Sequence, residues 1–568
     1  MKSLERSIFA GLMVITSLVI ITGNIIWTQD NYSARGDDKG SHLTASIEMF
    51  YLAQDIAADA NAPLVPKIVA LSKLIVADLP HIPPQFPNFV YFVTTAFYFL
   101  LGKSLAVAKL SNLLFLALLV GSVYVLGKGL GGRLAGLLSV LITLSCPIIY
   151  ESFRQYGLDF PLTAMATLTF ALLMKSDSFK NTYYSILAGI SLGAGTLVKL
   201  QILIFLGFPL LILFFGIFNL KQPNRRLLMI RLINAALFLT IVAAISALWW
   251  GEHLSPVLQS GSAMRIEQYN LFRELFVSLK NMVFYSAGFP LLAVMAAGIA
   301  LFCKSGAKNK YVYLVFAFAP MLVIPLMTFP LMRYTMPVFP VLSMMAAAGI
   351  LEIRKPLIRI ATLIFLLSYV LTRYYLMSFV PALNEGAANY DYAHNLKDIT
   401  ILGGRTSFRG GIEKLDKYNI KALVDLIGSS KADKTVVLVN IADPQLDSFL
   451  LRYRIRDLDR RIDPLDVVVS PRAIDAVGTA GFIVFIVPAD SADKTGSFEY
   501  PGGIEFREKM SSIYDSWVAE DFKKTATWDL LTNKLISVRQ YMHKIAAIEC
   551  EQGYRYIVYE RLSKDIVK

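Results

Sequence analysis

Charge is what this chain of 568 residues has least of. Only 17% of its residues are charged while 55% are hydrophobic, and the mean hydropathy is +0.54. That poverty excludes a disordered chain or a nucleic-acid-type protein and points to one embedded in a membrane. Cysteine is scarce as well: Cys146, Cys303 and Cys550 lie far apart in different kinds of segment, so neither a disulfide framework nor a cysteine metal site is indicated. No internal repeat or low-complexity stretch stands out. The run GGRTSFRGG (403–411) hints at phosphate binding but lacks a strand–loop–helix fingerprint with the right spacing, so it reads as a plain loop. Acidic residues are also short, with Lys+Arg 55 against Asp+Glu 42. In a soluble protein a net +13 would suggest a polyanionic partner, so its location matters. Residues 381–568 hold 26 basic and 27 acidic side chains, which leaves 29 and 15 to residues 1–380, and the whole excess belongs to the apolar part.

Long apolar runs are what the chain does have. About eleven meet the length of a transmembrane helix: 8–27, 105–126, 134–150, 160–174, 183–198, 201–219, 232–250, 282–302, 311–328, 335–351 and 357–379. A further run, 86–101, is short, aromatic and introduced by Pro83, Pro84 and Pro87. Cytoplasmic loops carry excess Lys and Arg, and this rule arbitrates. If 86–101 does not span, 16 of the 29 basic residues fall on the amino-terminal side, and the short loops of the other face hold only Arg154, Lys199 and Arg333. That run is therefore expected to be a re-entrant or interfacial helix. The start MKSLER followed by an apolar run lacks a small-residue cleavage site and reads as a signal anchor with a cytoplasmic amino terminus. An odd number of spans then leaves 381–568 outside the cell membrane. In that tail 435–441, 481–488 and 554–562 read as strands, and 412–427 and 523–545 as helices. The expected fold class is a polytopic α-helical membrane protein, with about eleven transmembrane helices plus interfacial helices, followed by a C-terminal soluble α/β domain.

Two outer loops are too long to be simple connections. The first, 28–104, holds amphipathic stretches at 43–57 and 64–77, with Leu, Ile, Met and Phe on one side and Glu48, Asp55, Lys67 and Lys73 available to water. The second, 251–281, is polar, with Trp249, Trp250, His253, Arg265, Glu267, Gln268, Tyr269 and Arg273 in or beside it. Within the spans, Lys109 is the clear ionisable residue, near an outer end where a long side chain can snorkel to the interface. Coupled transporters need midplane carboxylates or broken helices, so this scarcity weakens a transporter reading. Ionisable groups gather at outer helix ends instead: Asp37, Asp38 and His42; Glu151, Arg154 and Asp159; Lys199; and Arg333 with Tyr334. Carboxylates and cations converging at one membrane face suit transfer from a lipid-phosphate donor. Cations take up the leaving phosphate's charge, a carboxylate deprotonates the acceptor hydroxyl, and the lipid tail stays in the membrane. A single carboxylate opposite the leaving group implies one displacement with inversion.

Five stretches carry a family resemblance: DDKGSHL (37–43), the run 88–115, the run 127–168 ending its outer loop in Asp159, LAGISLGAGTLVKLQ (187–201), and RYTMPVFPVLSMMAAAG (333–349). Over most of residues 5–380 the chain resembles the GT-C glycosyltransferases of the protein O-mannosyltransferase and lipid A aminoarabinose transferase type. The resemblance implies a GT-C fold and a membrane glycosyltransferase that uses a polyprenyl-phosphate sugar at the outer face of the cytoplasmic (inner) membrane. It implies that the base is Asp38, counting back from His42 along the family's D-E-x-x-H pattern, or Asp37 if the acidic pair is aligned. Asp159 matches a second outer-loop acid that supports the site or a metal. Lys199 and Arg333 match cations for the donor phosphate, with Tyr334 and Lys109 beside them as further candidates. His42 is a candidate ligand for a divalent cation. The family's Gly after the lysine is Leu200 here.

Plainer readings stand beside these. Asp37 and Asp38 could be a solvated turn, His42 a structural or capping residue, Asp159 a helix N-cap, and Lys109, Lys199 and Arg333 headgroup anchors. The expected partners are the polyprenyl-phosphate sugar, membrane lipid, and a protein, lipid or glycan acceptor, with no nucleic acid. A transporter or flippase of lipid-linked sugars is the alternative. Residues 1–380 are expected to hold the catalysis and 381–568 to form the extracytoplasmic domain; no motif selects the sugar or the acceptor.

Overall fold

The computed structural model describes residues 3–30, 39–59, 63–77, 79, 86–218, 225–263, 287–324, 332–379, 399–400, 403–404, 419–430, 432–440, 453, 455–466, 479–488, 542–550 and 554–561. In chain order the helices are α1 (Ser3–Asp30), α2 (Lys39–Ala58), α3 (Leu64–Lys73), α4 (Phe89–Leu101), α5 (Leu105–Leu110), α6 (Asn112–Ser145), α7 (Pro147–Arg154) and α8 (Asp159–Ser176). They continue as α9 (Thr182–Thr196), α10 (Ile202–Phe218), α11 (Arg225–Ala263), α12 (Phe289–Lys304), α13 (Lys310–Val323), α14 (Val338–Leu351), α15 (Pro356–Phe379) and α16 (Ile420–Ser429). The strands are β1 (Ile399–Thr400), β2 (Gly403–Gly404), β3 (Thr435–Asn440), β4 (Asp463–Asp466), β5 (Phe482–Pro488), β6 (Met542–Cys550) and β7 (Tyr554–Arg561). The chain divides into two compact units, one of residues 1–31, 56–78 and 83–412, the other of 32–55, 79–82 and 413–568.

In the first unit helix lies over each of the apolar stretches read from the sequence. Among the described residues, Leu4–Thr28, Leu105–Ser145, Arg225–Ser255 and Pro356–Leu376 are long and apolar enough to cross a membrane, and shorter apolar helices lie at 202–218, 289–304, 310–323 and 338–351. Two expected stretches, 105–126 and 134–150, fall largely on the two arms of α6, which bends back on itself, with α5 and α7 at their outer ends. The backbone leaves helical geometry at Gly131 and Gly132, and φ of +80° at Gly132 is a conformation that glycine adopts without strain. A Cβ on Gly127 would strike Ser139, and one on Gly136 would strike Tyr124, so the absence of side chains lets the arms pack. The run 86–101 forms α4, whose 13 residues reach about 20 Å, short of a bilayer core of about 30 Å. The polar second loop begins later than expected, because α11 continues to Ala263; Arg265, Glu267, Gln268, Tyr269 and Arg273 lie outside the described residues.

Helix α14 is the packing centre. Every residue from Val338 to Ile350 is buried, and the helix lies against α6 and α12. Its contact with α12 is backbone to backbone: Gly349 faces the Gly298 carbonyl so closely that a Cβ would overlap it. Small residues at such crossings are the usual means of close helix approach in membranes.

In the second unit five strands form a mixed sheet in the order β4-β3-β5-β7-β6, with β3 parallel to β4 and β5, and β7 antiparallel to β5 and β6. Helix α16 covers it with Ile420, Leu423, Val424 and Ile427, one stripe at helical spacing, against Val436, Leu438, Phe482, Val484, Ile486, Tyr556 and Val558. The three expected strands are present. The helix expected over 523–545 is not helix at its end, since 542–545 opens β6, and 523–541 lies outside the described residues. Pairing along β7 overrides the local Ala-rich preference there. The helix expected at 412–427 appears as α16, with 412–418 outside the described residues. In GGRTSFRGG, Gly403 and Gly404 pair with β1.

Most of α2 belongs to this second unit. Asp55 pairs with Arg460 at 2.9 Å, and the Tyr51 hydroxyl donates to the Arg456 carbonyl at 3.1 Å. Glu48, expected to face water, is 6% exposed; the first half of α2 is buried on every side rather than along one apolar stripe.

Candidate active site

Asp159 opens α8, but the N-cap position falls to Leu158 and no side chain caps the helix. The Asp159 carboxylate sits instead in the first turn, where the helix dipole favours negative charge, and is turned to two cations. Its Oδ1 accepts from Lys199 Nζ at 2.7 Å, and its Oδ2 lies 3.3 Å from Arg333 Nε. The Tyr334 ring completes the group, with Lys199 Nζ 4.7 Å and Arg333 Cζ 6.0 Å from its centroid. Side-chain exposure is 15% for Asp159, 11% for Lys199 and 22% for Arg333, so all three are largely withdrawn from water without being sealed. Two cations share one carboxylate, and the group carries a net charge of +1.

Separate segments bring these residues together. Lys199 lies in the turn after α9, where its N–H donates to the Gly195 carbonyl and its carbonyl accepts from Ile202 N–H. Helix α11 fastens that turn: the Trp250 indole donates to the Thr196 carbonyl at 3.0 Å, and Thr196 Oγ1 shares a hydrogen bond with Ser246 Oγ at 2.7 Å. Leu197, Trp249 and Trp250 form an apolar cluster with Ile75, Phe89, Leu200 and Ile245. Leu200 packs there, so the departure from the family's glycine leaves Lys199 in place. The LAGISLGAGT pattern is explained by packing, since a Cβ on Gly193 would meet Ile245 at 2.7 Å. Arg333 and Tyr334 occupy a 3₁₀ turn, Met332–Thr335, that leads through Pro337 into the buried α14.

Asp37 and Asp38 lie outside the described residues. His42 is 4% exposed in α2 and belongs to the second unit. Lys109 does not snorkel: it is 1% exposed in α5. Arg154 is a clasp between helices. Its Nε donates to Asn24 Oδ1 at 2.7 Å, its Nη2 to Ser378 Oγ at 2.6 Å, and it stacks over Trp27 and Tyr150. Among the described residues no three His, Cys, Asp or Glu side chains gather as a metal site, and Asp159 faces cations that would repel one. The described residues do not fit the expected divalent cation, and no step below passes through a metal. One ionisable residue is missing from the sequence-based candidates: Arg373, inside the 357–379 stretch, is 2% exposed. Its position within an apolar run was the signal.

Residues 85–250 match the dolichyl-phosphate-mannose-protein mannosyltransferase family. No curated protein matches the sequence at a significant level. In fold the chain is similar to the crystal structure of ArnT from Cupriavidus metallidurans in the apo state, with a TM-score of 0.57 and 13% identity over 85% of this chain and 93% of that one. It is equally similar to ArnT from the same organism bound to undecaprenyl phosphate, at 0.56 and 13% over 98% of each chain. The oligosaccharyltransferase AglB from Archaeoglobus fulgidus, in complex with an inhibitory peptide and a dolichol-phosphate, matches at 0.47 and 11% over 86% of this chain and 70% of that one. The chain thus shares the fold of ArnT over almost its whole length, and residues 85–250 are similar in sequence to the dolichyl-phosphate-mannose-protein mannosyltransferase family.

Proposed function

We propose that the chain transfers a sugar from a polyprenyl-phosphate donor to an acceptor hydroxyl at the outer face of the cytoplasmic membrane, with inversion. The observation that supports this best is the Asp159–Lys199–Arg333–Tyr334 group, assembled from three distant segments, of which the family pattern marks Lys199 and Arg333 for the donor phosphate and Asp159 for support of the site. Asp38, or Asp37 in the other register, takes the proton of the acceptor hydroxyl as its oxygen attacks the anomeric carbon. The bond from that carbon to the phosphate oxygen breaks, and the phosphate leaves with the electron pair. Lys199 and Arg333, held by Asp159, take up the charge that grows on it. Fixed cations in a site withdrawn from water stabilise such charge with little reorganisation. ArnT, the fold relative, is a protein crystallised with undecaprenyl phosphate, which supports the same class of carrier here. The polarity of the loops supports about eleven crossings with the amino terminus in the cytoplasm and residues 381–568 outside, where their sheet and the helix α2 would bear on acceptor choice.

Separate replacement of Asp37 and Asp38 by Asn tests the base. Loss of a general base is expected to lower transfer by about 10²–10⁴-fold in one of the two variants and leave the other near wild type. Full transfer in both would remove the base from this loop.

A further inference from the structure

Arg373 lies in the last third of α15, 2% exposed. Its Nη1 donates to the Ala287 carbonyl, while Nε and Nη2 are buried with no acceptor among the described residues. The guanidinium carbon lies 5.9 Å from the ring centroid of Tyr369, one turn earlier on the same helix, and the Tyr369 hydroxyl is also buried without a hydrogen-bond partner among the described residues. The backbone is shaped to admit this group: Gly288, with φ of +81°, lies so near that a Cβ there would stand 2.6 Å from the guanidinium carbon and both terminal nitrogens.

Among the described residues charge does not balance here. Arg154, Arg373 and Glu151 all act electrostatically on the Tyr150 hydroxyl, so two buried guanidinium groups accompany one carboxylate. Arg154 is satisfied by Asn24 and Ser378, and the hydrogen bond of Arg373 goes to a neutral carbonyl. A buried cation without a counter-charge is strongly unfavourable. The donors left over, Nε and Nη2, form the edge of a guanidinium that binds two oxygens of one phosphate or carboxylate in parallel. A membrane supplies such oxygens as phosphate esters.

We propose that Arg373, with the Tyr369 hydroxyl beside it, forms a second anion site that takes the phosphate oxygens of a membrane lipid. The site shares no residue with the Asp159–Lys199–Arg333 group, and it stands whether or not the chain transfers sugar. Either a polyprenyl phosphate or a glycerophospholipid carries the required headgroup.

Thermal unfolding of the purified, delipidated protein in neutral detergent tests this. The background carries Lys199→Met to silence the other cation group, and the probes are undecaprenyl phosphate, phosphatidylglycerol and, as a control, diacylglycerol. A phosphate lipid is expected to raise Tm while diacylglycerol does not, and Arg373→Met to abolish the rise. Tyr369→Phe removes only an unbonded hydroxyl, so it is expected to fold normally and to bind the same lipid about tenfold to hundredfold more weakly, as loss of one hydrogen bond to a charged group implies. A rise with undecaprenyl phosphate alone identifies the carrier as the occupant; a rise with both lipids identifies a general headgroup site. Equal rises with and without Arg373, unchanged affinity in Tyr369→Phe, or no rise with either phosphate lipid would overturn the proposal.

Discussion

Lys199→Met is expected to lower kcat/KM for the lipid-phosphate donor by about 10²–10³-fold, the usual loss when one preorganised donor to a developing oxyanion is removed. The charge of the site explains both the size and the form of the effect. Lys199, Arg333 and Asp159 together carry +1, and removing the lysine leaves Arg333 neutralised by Asp159. The donor's phosphate then meets a site without net charge, so KM rises and kcat falls together. Asp159→Asn has the opposite electrostatic sign: the site becomes +2, donor affinity holds or improves, and Lys199 and Arg333 lose the carboxylate that fixes them. A misplacement of about 1 Å costs about 10²-fold, and here it falls on kcat. Steady-state kinetics on membranes with varied donor separate the two variants. If Lys199→Met keeps its KM and kcat, the lysine is a headgroup anchor and not part of the donor site.

Gly349→Val should be the most damaging single substitution in the helical unit. Gly349 stands on α14 against the Gly298 carbonyl, with Gly298 C and Phe302 N each 2.8 Å from where a Cβ would lie. Those neighbours are backbone, which cannot turn aside as a side chain can. Overpacking of a filled interior costs about 1–3 kcal/mol and more where nothing yields, so a loss of about 3 kcal/mol or more is expected. Because α14 begins just after Arg333 and Tyr334, the proposed donor site would be displaced with it. Gly121→Ala is the control, since nothing lies within 4 Å of where its methyl group would stand on α6. Thermal unfolding in detergent should show a large drop in Tm for the first and none for the second. An unchanged Tm in Gly349→Val would mean that α12 and α14 are not in contact as described.

The helices were legible in the sequence because a bilayer dictates length and polarity to every segment that crosses it, and 8–27, 160–174 and 357–379 could be marked from composition alone. The site was legible in part for a different reason. Lys199 and Arg333 stand at the ends of apolar runs, where a charge is conspicuous, and the family pattern joined them to Asp159. The pattern did not say that Asp159 would bridge both cations, since a residue opening a helix reads equally well as a cap until its partners, 40 and 174 positions away in the chain, are known. The sequence alone does not single out Arg373, because it lies near the end of a long apolar run that tolerates a single cation at its margin, and only burial distinguishes it from a snorkelling one. Lys109 shows the reverse: its place near a helix end suggested an interface anchor, and the fold buries it. In the tail, strands are legible where β-branched residues cluster, as in TVVLVN, whereas 542–545, expected to end a helix, opens β6, whose extended form depends on β7.

Transfer of label from a polyprenyl-phosphate sugar to acceptor by the purified protein in detergent, where no gradient or second compartment exists, is the most direct measurement of the proposed activity. The account predicts label on the acceptor with inverted anomeric configuration, release of polyprenyl phosphate, and loss of both in the Lys199→Met variant. Label that stays on the donor in detergent, while the same protein in sealed vesicles carries the lipid-linked sugar from one leaflet to the other, would contradict it and establish the transporter reading in its place.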